Sequence, residues 1–230
     1  MIYLIPSLLD ETAKNSIPFY IMEAIKECQV IFAENERTAR RFLKSLWKEI
    51  VIDNYEWYTI HNVEASQIIC FKQKIKEGKN IAILSEAGCP GIADPGQILV
   101  RLAQELDVIV KPLVGPSSIL LALMASGMNG QHFQFVGYLP IDIHQRSARI
   151  KELEDESLKK KCTQIFIETP YRNNQLINTI LKTCKPATNF CIACDLTSEK
   201  EYIKTKSISD WRKVNVDFHK RPAIFLLHAV

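Results

Sequence analysis

The 230 residues, 47% of them hydrophobic, suffice for one large α/β domain or two small ones. A net charge of +3 is too small by itself to mark a nucleic-acid partner, and no apolar run approaches the roughly 18–20 residues that cross a bilayer, which argues against a membrane protein. Seven scattered cysteines, odd in number, suit a reducing cytoplasm rather than a disulfide framework.

Taken in chain order, short apolar runs alternate with longer amphipathic stretches. "MIYLIP" reads as a buried strand and not as a signal peptide, since it lacks a basic leader and a small-residue cleavage site. "FYIMEAIKEC" follows as a helix, "VIFAE" as a strand and "RTARRFLKSLW" as a helix with a basic face. "ASQIICFKQKIKEG" is a helix closed by Gly78, "IAILSE" a strand, "GQILVRLAQEL" a helix and "VIVKPL" a strand. Strands alternating with helices predict a mostly parallel sheet covered on both faces. The series runs out near Val114 and Gly115, dividing the chain into N-terminal and C-terminal α/β domains, residues 1–114 and 115–230.

The second half opens with the helix "GPSSILLALMASG". Strand-like "HFQFVGYLP", a charged stretch, the strand "TQIFIE", a helix through "NNQLINTILKTC" and the strand "FCIACDL" follow. "EYIKTKSIS" and "RPAIFLLHAV" are further strands, and consecutive strands predict a mixed sheet here. Residues 116–230 carry 16 basic and 11 acidic groups, so the positive excess of the chain sits in this half. Cys191 and Cys194 lie three apart on a strand and face opposite sides, a poor start for a metal site. The five histidines show no metal-ligand spacing, and no metal is expected.

The stretch "SEAGCPGIADPG", residues 85–96, links a strand to a helix. Gly88 and Gly91 permit positive φ and close approach of a bound group, and Pro90 stiffens the loop between them. Asp94, Pro95 and Gln97 read as an N-cap, a first-turn proline and a capping-box partner. The loop lies outside the carboxyl end of a parallel strand, where open α/β sheets bind ligands. Neither G-x-x-x-x-G-K-[ST] nor G-x-G-x-x-G is present, so a nucleoside triphosphatase or a dinucleotide dehydrogenase is disfavoured.

This stretch closely resembles the "SDAGTPGISDPG" signature of the tetrapyrrole methylase superfamily, in its branch of small-subunit ribosomal RNA ribose-2′-O-methyltransferases. In the same order, "VIFAENERTAR" resembles "LIAAEDTRHTG", "GPSSILLALMASGM" with "FQFVGYLP" resembles "GPSA…ASGLP…F.F.GFLP", and "FIETPYR" resembles "FYESPHR". The resemblance implies two α/β domains with S-adenosylmethionine in the cleft between them. It also implies methyl transfer to a ribose 2′-hydroxyl of ribosomal RNA, a homodimer and a cytoplasmic location. The cofactor-contacting positions that carry over are Pro6, Glu86, Gly88, Cys89, Gly91, Ser117, Ser118, Ile167 and Glu168. Glu34, Arg37 and Tyr171, with Glu168 and Arg172, are the candidates for the acceptor wall, each weighed against an ordinary surface ion pair or helix cap.

The departures concentrate on that acceptor side. "TPIGNL" is here "IPSLLD", "EDTR" is "ENER", "ESPHR" is "ETPYR", and "RELTK" is "CDLTS". A tetrapyrrole or other small-molecule acceptor is therefore kept as an alternative. So is a divergent paralogue that holds cofactor or RNA without turnover.

Overall fold

The computed structural model describes residues 1–60 and 64–230, and His61 lies outside them. The chain forms two compact units, Met1–Ser117 and Ser118–Val230.

The first unit is built on β1 (Ile2–Ile5), β2 (Val30–Ala33), β3 (Glu56–Thr59), β4 (Ile81–Leu84) and β5 (Val110–Pro112). They pair in the order β3-β2-β4-β1-β5, every pair parallel. Four helices cover the sheet: α1 (Tyr20–Lys26), α2 (Glu36–Leu46), α3 (Ala65–Lys76) and α4 (Gly96–Glu105). The two-residue period of a strand sends Tyr3, Ile5, Ile31, Ala82 and Leu84 to one face, against Ile21 and Ile25 of α1 and Leu43 of α2. Ile2, Val30, Phe32, Ile81 and Ile83 go to the other, against Phe71 of α3 and Leu99 and Ala103 of α4. Burial on both faces explains why β2 and β4 read as unbroken apolar runs.

One strand is absent from the sequence reading. β3, "EWYT", is a four-residue edge strand with exposed ends and half-buried central residues, too short to show alternation. It is anchored through Trp57, whose indole Nε1 donates to the Ile52 carbonyl at 3.1 Å and whose ring lies 4.9 Å from the Arg40 guanidinium.

The second unit pairs β6 (Phe133–Tyr138), β7 (Thr163–Ile167), β10 (Ala223–His228), β8 (Asn189–Cys194) and β9 (Tyr202–Ser207) in that spatial order. β6 and β7 are parallel and the remaining pairs antiparallel, so the sheet is mixed as expected. Its helices are α5 (Ser118–Ser126), α6 (Ile143–Lys160), α7 (Asn173–Thr183) and the single turn α8 (Ile208–Trp211). The charged stretch folds as α6. Asp142 caps it, and Ile150 and Leu153 face the core with Leu176, Ile177 and Ile180 of α7, Phe166, Phe190 and Phe225. Trp211 is fully buried and donates its indole N–H to the Phe190 carbonyl at 2.7 Å. Cys194 joins this core with Phe190 and Ile192, and Cys191, odd in register, points to the opposite face.

Candidate functional site

In the first sheet the chain leaves β1 toward β2 on one side and leaves β4 toward β5 on the other. β1 and β4 are neighbours, so the order reverses between them, and the crevice outside their carboxyl ends is the topological switch point. The loops after both strands meet there. Ser7 N–H donates to Gly88 O at 2.8 Å and Gly88 N–H donates to Ser7 O at 3.1 Å, a two-way bridge across the crevice. The Ser7 hydroxyl donates to Ser85 O at 2.8 Å, and the Ser85 hydroxyl to Gly88 O at 3.1 Å.

Loop 85–96 is held in an unusual shape. Gly88, Gly91 and Ala93 have φ of 73°, 83° and 58°, three left-handed residues in one loop. A Cβ on Gly88 would meet Leu9 and the Pro116 carbonyl at 3.5 Å, ordinary contact distance, so its glycine answers to backbone conformation and not to lack of room. Gly115 is the opposite case. A Cβ there would lie 2.2 Å from Pro6 Cβ, so the loop after β5 packs directly on the proline that follows β1.

Asp94 closes the loop. Its carboxylate accepts from Gly91 N–H at 2.9 and 3.0 Å and from Gly96 N–H at 2.8 Å. α4 starts at Gly96, with Pro95 at the cap position. The Asp94 carboxylate thus caps the first turn as expected and also ties the glycine turn to it, while among the described residues no Gln97 side-chain bond back to Asp94 completes a capping box. Burial pushes the Asp94 carboxyl above its ordinary range, and nearby Glu34 pushes the same way against the loop N–H groups.

Glu34, at the end of β2, accepts from Glu86 N–H at 3.1 Å, and Thr38 Oγ1 donates to Glu86 Oε1 at 3.4 Å. Asn35, which stands where the resembled branch has aspartate, caps α2 by accepting from Arg37 N–H at 3.1 Å and Thr38 N–H at 3.3 Å. That substitution preserves the cap. Arg40 bonds Glu36 at 2.7 Å and Arg41 bonds Glu11 at 2.6 Å, so part of the basic face of α2 is paired within the chain. Arg37 is exposed.

A cavity of about 350 Å³ opens beside the loop, lined by Leu8, Leu9, Thr38, Phe42 and Glu86 among others. Leu8 and Leu9 stand where the resembled branch has glycine and asparagine. The sequence pointed to this segment only by what it lacks. The signal that finds it is its place just after β1, next to the switch point.

The first unit thus gathers Pro6, Glu34, Glu86, Gly88, Cys89 and Gly91. Cys89 is half-buried, its Sγ donates to the Pro116 carbonyl at 3.5 Å, and burial pushes its thiol up, which suits a small filler and not a nucleophile. Ser117 and Ser118 are partly exposed where the chain enters α5.

The second unit gathers Ile167, Glu168, Tyr171 and Arg172. Glu168 is 4% exposed; its Oε1 accepts from Thr169 N–H at 2.7 Å and from Arg172 Nε and Nη2 at 2.9 and 2.6 Å. Its Oε2 is buried without a partner among the described residues. Glu168 therefore fixes the turn after β7. Tyr171 is 67% exposed, against His219 and under the Lys220 ammonium.

The donor set tests whether S-adenosylmethionine suits this place. Loop 85–96 contains Glu86 and Asp94 and no basic residue, and Glu34 adds a third carboxylate. Such a loop repels phosphate and attracts a cation, and S-adenosylmethionine carries a sulfonium and an ammonium. Exposed Glu86 matches an ammonium group, and the serine hydroxyls match the polar edges of an adenosine. The residues fit.

Comparison with known proteins places the chain. The family model described as Tetrapyrrole (Corrin/Porphyrin) Methylases matches residues 14–211. Ribosomal RNA small subunit methyltransferase I of Buchnera aphidicola subsp. Schizaphis graminum is 31% identical over 232 residues, covering 99% of this chain and 77% of that protein. The protein so named in Bacillus subtilis strain 168 is 33% identical over 183 residues, covering 78% of this chain and 58% of that protein. Among solved structures, the methyltransferase CobJ is similar with a TM-score of 0.65 and 14% identity, over 100% of this chain and 94% of that chain. Uroporphyrin-III C-methyltransferase from Thermus thermophilus, complexed with S-adenyl homocysteine, gives a TM-score of 0.53 at 15% identity, over 99% and 96%. At such identities the two structures speak for the fold. On the extent of the family match and the near-complete cover by a relative of 31% identity, the chain belongs to the tetrapyrrole (corrin/porphyrin) methylase family of S-adenosylmethionine-dependent methyltransferases.

Proposed function

We propose that the protein transfers a methyl group from S-adenosylmethionine to a ribose 2′-hydroxyl of small-subunit ribosomal RNA. The observation that carries the reading is the carboxylate-rich, left-handed loop at the β1/β4 switch point, in a chain whose 31% identical relative is named as a small-subunit ribosomal RNA methyltransferase.

The proposed cofactor residues are Pro6, Glu86, Gly88, Cys89, Gly91, Ser117 and Ser118 from the first half, and Ile167 and Glu168 from the second. When bound, S-adenosylmethionine supplies a methyl on a positively charged sulfur, transferred by in-line displacement. The protein's part is positioning and field. Glu34 holds the backbone of Glu86, the Ser7 bridge holds Gly88, and Glu168 holds the turn bearing Tyr171 and Arg172. Glu34 thus acts on the loop as a positioning residue, and exposed Arg37 and Tyr171 remain free to meet a large acceptor. The cavity lined by Leu8, Thr38 and Phe42 is the proposed acceptor side.

Functional division at residues 1–114 and 115–230, a homodimer and a cytoplasmic location belong to the same proposal. Among the described residues no helix is long and apolar enough to cross a membrane.

The test is transfer of label from methyl-tritiated S-adenosylmethionine to small ribosomal subunits that lack the modification, followed by alkaline hydrolysis. Label in an alkali-stable dinucleotide is the expected result, because a 2′-O-methyl blocks cleavage. Label in mononucleotides would place the methyl on a base. Label in added tetrapyrrole and none in RNA would move the reading to a small-molecule acceptor.

A further inference from the structure

A second polar site lies in the C-terminal unit, lined by residues other than those assigned above. Ile141, Arg146, Gln175, Asn178, Thr179 and Lys182 line most of a groove of about 360 Å³ between α6 and α7. Arg146 is 2% exposed. Its Nη1 donates to the Ile141 carbonyl at 3.3 Å and its Nη2 to Thr179 Oγ1 at 3.1 Å, and its Nε is buried without a partner among the described residues. Both acceptors are neutral. Among the described residues no carboxylate lies within 4.0 Å of the guanidinium, although the neighbouring Arg149 has Glu152 at 3.0 Å. Asp142, one turn away, accepts on its carboxylate from the N–H groups of His144 and Gln145 at 3.0 and 2.9 Å and meets Arg146 only through its field.

A buried guanidinium is costly unless an anion compensates it, and this one has two weak neutral acceptors and an idle donor. The groove wall has the chemistry to supply the rest of an anion site. Lys182 stands one turn from Asn178 and Thr179 on the same face of α7, and the lining contains no acid. Exposed Ile141 and Ile143 flank it. The unit that bears the groove holds 16 basic and 11 acidic residues, a net of +5.

We propose that the α6/α7 groove binds one phosphodiester of the RNA backbone, with Arg146 and Lys182 as its cationic contacts. A phosphate in the groove accepts from the Lys182 ammonium and supplies the negative charge that the Arg146 guanidinium in the groove wall lacks, and the flanking isoleucines pack on the adjoining sugar. Contact of this kind is independent of base sequence and serves to orient the strand. The proposal rests on RNA being the acceptor, and it adds a docking point built from residues other than those assigned to the cofactor.

The experiment is fluorescence anisotropy of the full chain with a 3′-fluorescein single-stranded RNA of about 20 nucleotides, titrated over a range of potassium chloride. The variants are Lys182→Gln, Arg146→Lys and, as a surface control, Lys159→Gln; methyl transfer to small subunits is measured for each. Lys182→Gln is expected to raise Kd roughly three- to tenfold and to flatten the salt slope by about 0.7 to 1, with Lys159→Gln close to wild type. Lys182 is exposed, so this variant tests the site even if Arg146→Lys fails to fold. Equal effects of Lys182→Gln and Lys159→Gln, or none in either, would overturn the groove while wild-type methylation of subunits kept the RNA reading intact. Unchanged RNA affinity with a shift of Lys182→Gln from dimer to monomer in sedimentation would overturn it in favour of a protein contact. A wild type that neither binds the RNA nor methylates subunits would overturn the RNA reading, and the groove proposal with it.

Discussion

Ser7 and Gly88 exchange two backbone hydrogen bonds, at 2.8 and 3.1 Å, across the crevice where the order of the parallel sheet reverses. The bridge joins two loops 81 positions apart in the chain and sets Glu86, Ala87 and Cys89 in fixed relation to the end of β1. Its left-handed glycine makes the loop sensitive to a single methyl.

Two substitutions in that loop should act with opposite sign. Gly88→Ala has room for its Cβ and so pays only for the left-handed backbone, about 1–2 kcal/mol. Ala93→Gly releases the same kind of strain at φ 58° and should be neutral or stabilising by up to about 1 kcal/mol, after the extra freedom it gives the unfolded chain. Urea midpoints of the two variants check the signs.

Gly115→Ala should be costlier for a steric reason. Its Cβ would sit 2.2 Å from Pro6 Cβ and 2.3 Å from Pro6 Cγ, both in a rigid ring, and overpacking of that kind costs about 1–3 kcal/mol. Pro6→Gly removes the obstacle. In a double-mutant cycle the pair should be less destabilised than the sum of the single changes; strict additivity would show that the clash relaxes elsewhere.

Glu168→Gln should lower thermal stability, because the carboxylate takes three charge-assisted or backbone hydrogen bonds while buried. A loss of about 1–3 kcal/mol is expected. If Glu168 only fixes the turn after β7, affinity for S-adenosylhomocysteine at low temperature should stay close to wild type. A large loss of affinity with unchanged melting would make it a direct contact.

Acid should weaken the fold first through His228. Burial lowers its pKa below the ordinary 6.5, so the native state binds fewer protons than the unfolded chain, and stability falls as pH drops through about 6.5. Asp94 works the other way. Its pKa lies above the ordinary 3.8, so protonation on the way toward pH 4 favours the native loop. Urea midpoints measured from about pH 7.5 to 5.5 should decline in the wild type and decline less in His228→Gln.

The parallel sheet was legible because β2 and β4 are buried on both faces and read as pure apolar runs. β3 was not, since an edge strand of four residues leaves no period to read. The glycines of loop 85–96 announced positive φ, and Gly88 and Gly91 have it. Ala93 shares the conformation with no glycine to signal it, and Asp94 bonds backward to Gly91 as well as forward to the helix. Nor could residue type show that Glu34 accepts from the backbone of Glu86, or that Glu168 is committed to Arg172, because both depend on where two strand ends and a turn meet. Arg146 looks in sequence like any other basic residue on a charged helix, and only its 2% exposure sets it apart.

Loop 85–96 as a cofactor site is tested most directly by calorimetric titration of cofactor-stripped, folded protein with S-adenosylmethionine and S-adenosylhomocysteine, repeated with Ser117→Trp. Micromolar binding of both ligands is expected, with S-adenosylmethionine the more salt-sensitive because it alone carries the sulfonium charge that a carboxylate-rich loop would attract, and with binding abolished by the tryptophan. Absence of binding to the wild type, or undiminished binding to Ser117→Trp, would contradict it.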